Sequence, residues 1–81
     1  MSVVTLYSRP GCHLCEEALQ VLDRVRARRP FEFEEVDIEA DERLLARYLE
    51  RIPVVLVDGR ERFEFFVDER KLERLVSPAV Q

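Results

Sequence analysis

The sequence holds no long apolar run, few chain-breaking residues and little sulfur or imidazole. No segment approaches the ~20 consecutive apolar residues needed to cross a bilayer, so no transmembrane helix is expected. The start, Met1-Ser2-Val3-Val4-Thr5-Leu6-Tyr7, carries no basic stretch and no apolar core long enough for a signal peptide. Only 2 Gly and 4 Pro occur in 81 residues, which leaves no linker and no low-complexity segment. Lys+Arg total 13 against 17 Asp+Glu, a net charge of −4, so the basic stripe of a nucleic-acid binder is missing. All 13 basic residues but Lys71 are Arg. With 2 Cys and 1 His, the chain cannot build a structural zinc site of about four Cys and His ligands by itself. These absences predict a cytosolic protein with no membrane and no nucleic-acid partner.

What remains is one small domain, residues 1–81, with 47% hydrophobic and 37% charged residues. A chain this short buries only a little over ~60% of its unfolded surface, so one modest core must suffice. Val3 to Tyr7 reads as a strand buried on both faces. Ser8-Arg9-Pro10-Gly11 is a turn cluster. From Cys12 to about Arg28 the apolar residues Cys15, Ala18, Leu19, Leu22 and Val25 recur at helical spacing. Glu16 and Glu17 suit the positive end of that helix dipole, and Arg26, Arg28 and Arg29 the negative end. Pro30 stops the helix.

Phe31-Glu32-Phe33-Glu34 alternates with period two, then the phase slips to Val36 and Ile38, which predicts a strand end or bulge near Glu35. Asp41 and Glu42 open a second helix with Leu44, Leu45, Tyr48 and Leu49 as its buried stripe. Val54 to Val57 is a strand, Asp58-Gly59 a two-residue hairpin turn, and Arg62 to Phe66 the returning strand. A last helix from Asp68 to about Val76 buries Leu72, Leu75 and Val76. The order β-α-β-α-β-β-α predicts a single four-stranded mixed α/β sheet. Its right-handed βαβ unit is parallel, and the hairpin lies on the other side of the first strand.

Both cysteines fall in Cys12-His13-Leu14-Cys15, where the first strand gives way to the first helix. Unpaired N–H groups and the positive dipole end favour the thiolate there, which lowers Cys12 below the free-thiol range. Cys15 lies one turn on and is predicted to be the more buried. Cys12 then attacks a substrate disulfide and Cys15 resolves the mixed disulfide. His13 is free to titrate near neutrality and to favour the thiolate when protonated. A haem attachment needs His directly after the second Cys, and that residue is Glu16. A shared zinc site completed by another chain and a structural disulfide remain the alternatives. The acidic residues Glu32, Glu34, Glu35, Asp37, Glu39, Asp41 and Glu42 read most simply as a solvated face.

Thr5-Leu6-Tyr7-Ser8-Arg9-Pro10-Gly11-Cys12-His13-Leu14-Cys15 resembles the strand, tyrosine, loop and CxxC of glutaredoxins, and Ile52-Pro53-Val54 resembles the cis-proline segment of the glutaredoxin and thioredoxin families. The resemblance runs over nearly the whole chain and implies a thioredoxin fold of glutaredoxin type. It is nearest to small bacterial glutaredoxin-like proteins with a C-x-L-C centre. It implies a thiol–disulfide oxidoreductase in which Pro53 is cis, the Ile52 backbone docks a peptide or glutathione, and Arg9 and Tyr7 contact substrate. No bound cofactor or metal is implied. The partners implied are a disulfide-containing protein or small thiol and an upstream reductase, with the protein a monomer. An iron–sulfur or metal-binding adaptor on the same fold is the rival. The stretch Arg60 to Asp68 departs from the family by lacking its Gly-Gly pair, and bulky groups there oppose the close approach of glutathione. Phe63 and Phe66 instead resemble small redoxins recharged by thioredoxin reductase. Phe63 and Phe65 are expected in the core.

Overall fold

The computed structural model describes residues 2–77; the expected domain bounds of 1–81 therefore extend at both ends outside the described residues. The elements are β1 (Val3–Ser8), α1 (His13–Arg28), β2 (Glu32–Asp37), α2 (Glu42–Tyr48), β3 (Val54–Val57), β4 (Arg60–Glu64) and α3 (Glu69–Val76), with a 3-10 turn at Ile38–Ala40. This is the order read from the sequence, with the 3-10 turn added.

The sheet runs β2-β1-β3-β4. β1 is parallel to β2 and antiparallel to β3, with Tyr7 opposite both Val36 and Val54. α1 and α3 cover one face. Val4, Leu6, Val55, Val57 and Phe63 of the sheet are buried there against Ala18, Leu22, Val25, Leu72 and Val76. α2 covers part of the other face, where Ile38, Tyr48 and Val54 form a second small core flanked by Tyr7, Leu45 and Ile52. The two-sided cover explains why β1 reads as a near-continuous apolar run.

Local chemistry sets the boundaries. Asp41 accepts from the N–H groups of Arg43 and Leu44 to cap α2, and Asp68 accepts from Lys71 N–H to cap α3. Asp58 (φ 52°) and Gly59 (φ 83°) both take the left-handed conformation that a tight two-residue hairpin needs. Arg24 and Arg28 of α1 pair with Glu69 of α3 at 3.0 and 2.9 Å, joining the two helices along their outer edges.

Three expectations are corrected. β2 pairs with β1 without interruption from Val3↔Glu32 to Ser8↔Asp37, so no strand end or bulge occurs at Glu35. The slip in apolar phase arises because β2 is an edge strand whose two faces are covered at different ends. Phe31 and Phe33 pack on the α1 side, and Ile38 packs on the α2 side. The irregularity lies instead between β3 and β4, where Val55 faces Phe63 and Leu56 faces Glu61, leaving Arg62 as the extra residue. Leu49 is not on a buried stripe but 41% exposed, just past the last turn of α2. Phe65 is not core either: at φ 64° it ends β4 and turns outward, 40% exposed.

Candidate active site

Cys12 is the N-cap of α1, with an extended backbone, and its sulfur accepts from the Cys15 N–H at 3.1 Å. The helix begins there because Gly11, at φ 77°, turns the β1–α1 loop where a side chain would be strained. Cys12 and Cys15 are joined as a disulfide with Cα atoms 5.2 Å apart. Their exposures differ: Cys12 is half-buried, while Cys15, on the inward stripe of α1, is 4% exposed. One sulfur of the pair can therefore meet a partner molecule and the other is shielded beneath it.

A cavity of about 380 Å³ opens beside the disulfide, lined by Ser8, Arg9, Cys12, Cys15, Glu35 and Asp37 among others. Arg9 reaches this cavity, and its guanidinium pairs with Glu39 of the 3-10 turn at 2.6 Å. The buried Ser8 hydroxyl donates to Glu35 at 2.9 Å. Glu35 and Asp37 are exposed, as a solvated face predicts, but they share the strand parity of Phe31 and Phe33, which places them on the α1 side of β2 at the rim of this cavity. Sequence reading missed their place beside the disulfide; their parity with Phe31 and Phe33 was the signal. His13 projects into solvent on α1 and meets Glu17 at 2.9 Å and Glu16 at 3.9 Å.

Ile52–Pro53 is a cis peptide. Pro53 is buried and half-buried Ile52 packs on the α2-side core. Because Tyr7 faces Val54, Pro53 stands at the sheet end from which the Ser8–Gly11 loop leads to Cys12. The Pro53 carbonyl accepts from Phe65 N–H at 2.9 Å, tying this segment to the end of β4. Arg51, just before it, is paired with Glu61 and, at 2.9 Å, with Glu64. Tyr7 points to the α2 side, its ring stacked on Tyr48 with centroids 4.6 Å apart. Thus Cys12, Cys15 and Arg9 share one cavity, whereas His13, Ile52, Pro53 and Tyr7 do not line it. On another flank of α1, Leu14 and the exposed Phe65 and Phe66 line a cavity of about 100 Å³.

Burial and the hydrogen bond to Glu61 push the Tyr48 hydroxyl above its usual range. The Arg51 guanidinium, helped by the Tyr48 hydroxyl, holds Glu61 below the usual carboxylate range. Among the described residues no three His, Cys, Asp or Glu side chains are grouped to hold a metal ion, and no helix is long and apolar enough to cross a membrane.

A four-stranded mixed sheet with a CxxC disulfide at the start of its first helix and a cis-proline before its third strand defines a thioredoxin-fold protein. A mutant thioredoxin from Halobacterium salinarum superposes over 99% of this chain and 78% of its own, with TM-score 0.70 at 19% identity, a likeness of fold. The chain belongs to the glutaredoxin-like family: residues 3–77 match its Glutaredoxin-like domain (DUF836). An uncharacterized protein of Mycobacterium tuberculosis, Rv0508, is 32% identical over 74 residues, covering 85% of this chain and 76% of the relative. The solution structure of protein Ne2328 from Nitrosomonas europaea is similar with TM-score 0.81 and 31% identity, over 94% of this chain and 92% of that one. Family, fold and the Cys12–Cys15 disulfide together support a redox-type role.

Proposed function

We propose that this protein is a dithiol thiol–disulfide oxidoreductase that reduces or exchanges protein or low-molecular-weight disulfides. The observation that carries this reading is the unequal burial of two cysteines joined across the first turn of α1. In the reduced protein, the Cys12 thiolate attacks one sulfur of a substrate disulfide and expels the other as a thiolate. Cys15 then gives up its proton and attacks the Cys12 sulfur, releasing the second substrate thiol and closing the internal disulfide. Two electrons pass to the substrate, and the product is the oxidised form described above. The N–H groups at the start of α1 lower the cost of the Cys12 thiolate, both as attacking group and as leaving group.

In this reading Ile52 and Pro53 form the edge against which an extended substrate lies, and Arg9 and His13 adjust the charge around Cys12. Tyr7, at the end of β1 that leads to the Cys12 loop, contacts substrate in this reading, and its stack on Tyr48 fixes the ring. The electron donor is a small thiol such as glutathione or a thioredoxin-reductase-type flavoprotein. The bulky residues from Arg60 to Phe66 favour the second, because Phe65 and Phe66 stand out where close backbone approach to glutathione requires glycine. A cytosolic, monomeric protein fits this chemistry, since the dithiol must be kept reducible. Trapping tests the assignment: Cys15→Ser should accumulate mixed disulfides on Cys12, and Cys12→Ser should abolish turnover. Trapping through Cys15 in the Cys12→Ser variant with equal efficiency would overturn it.

A further inference from the structure

The cavity beside the disulfide is unevenly charged. Among the described residues its lining carries Glu16, Glu35 and Asp37 against a single cation, Arg9, and that cation is already paired with Glu39 at 2.6 Å. Two of the carboxylates are fixed in place. The register Leu6↔Glu35 and Ser8↔Asp37 puts both on the α1 side of the sheet edge, exposed at the rim of the cavity. Ser8 then holds Glu35 at 2.9 Å, and Asp37 accepts from the Glu39 N–H at 2.8 Å. The disulfide lies in the wall of the same cavity, so whatever exchanges with Cys12 enters this field.

We infer that the site selects disulfides bearing positive charge close to the sulfur, such as an aminothiol disulfide or a cysteine flanked by Lys or Arg, and disfavours anionic ones. The inference rests on the oxidoreductase reading and names the substrate class of that same site. A net two or three negative charges at roughly 7 Å from a unit ligand charge, in water-like dielectric, change its local concentration about tenfold at low salt. His13 lies outside the cavity between Glu16 and Glu17 and partly offsets this field only when protonated.

The test is oxidation of the reduced protein by three disulfides: cystamine, with one ammonium per half; bis(2-hydroxyethyl) disulfide, uncharged; and oxidised glutathione, with one net negative charge per half. In each case Cys12 attacks one sulfur and expels one thiolate, and Cys15 closes the ring and expels the second. The two electrons and two protons of the dithiol end on two small thiols. Each rate constant is divided by that of dithiothreitol with the same disulfide, which removes leaving-group differences. At about pH 8 and in low salt, the normalised order is cystamine, then the uncharged disulfide, then oxidised glutathione, with at least about tenfold between first and last. That ratio shrinks toward one in about 0.5 M NaCl and in the Glu35→Gln/Asp37→Asn variant. Gln and Asn keep the oxygens that Ser8 and the Glu39 N–H use, and Glu16→Gln gives the same direction without touching β2. A ratio near one in the wild type, or one that neither variant lowers, overturns the inference while leaving the oxidoreductase reading intact. Failure of all three disulfides to oxidise the protein overturns both.

Discussion

Alkylation of the reduced protein separates its two sulfurs by burial. Cys15 is 4% exposed on the inward stripe of α1, whereas Cys12 is half-buried at the cap. For iodoacetamide to reach Cys15, the first turn of α1 must open. Opening breaks the bond from Glu16 N–H to the Cys12 carbonyl, 3.1 Å long, and returns a small apolar side chain to water. One helical hydrogen bond and one buried thiol cost roughly 2–3 kcal/mol together. At about 1.4 kcal/mol per decade, that makes Cys15 about 30- to 150-fold less reactive than an open thiol. Cys12 gains in the other direction, because the N–H groups it caps favour its thiolate. The assay follows mass gain in the reduced Cys12→Ser and Cys15→Ser variants near neutral pH. Cys12, alone in the Cys15→Ser variant, is expected to label at least about 30-fold faster than Cys15 in the Cys12→Ser variant, and the gap should close in denaturant. Rates within about threefold of each other in the folded proteins would refute the reasoning, since shielding would then be worth less than ~1 kcal/mol.

Leu22→Ala removes a side chain that is 1% exposed beneath α1. It should cost about 3–4 kcal/mol, lowering the calorimetric Tm by roughly 12–30 °C in a domain of this size. Leu49→Ala, at a position 41% exposed, should change stability by less than about 0.5 kcal/mol, and equal losses would contradict the burial of α1. Acid should destabilise the fold through Glu61 and Glu69, which are held low chiefly by Arg51 and by Arg24 with Arg28, respectively. Carboxyls with depressed folded-state pKa add stability above the unfolded value of about 4.3 and lose it as pH falls through the lower folded value. Tm should therefore fall on acidification below about pH 4.5, less steeply in a Glu61→Gln/Glu69→Gln variant; an unchanged acid limb would contradict those pairings.

The elements of this fold are legible where one physical signal dominates. The stripe Cys15, Ala18, Leu22 and Val25 marks the buried side of α1 because a single core lies along its whole length. Asp58-Gly59 marks the hairpin because two successive positive φ values exclude most residues. The CxxC is legible for the same reason: its place between strand and helix follows from local sequence alone. β2 is harder, because its phase reflects cover by α1 at one end and by the Ile38 and α2 core at the other. That same ambiguity conceals Glu35 and Asp37, whose placement depends on register with β1. Phe65 misleads because its outward turn depends on a positive φ and on the bond to the Pro53 carbonyl, neither of which its apolar neighbours announce. The Tyr7–Tyr48 stack joins residues 41 positions apart and has no local signature.

The most direct test of the dithiol chemistry is a titration of the purified protein against glutathione redox buffers, read by intact mass. An exchangeable pair converts cleanly and reversibly between dithiol and internal disulfide at a midpoint between about −270 and −180 mV. Cysteines that stay reduced, or stay oxidised, across that whole range would contradict it.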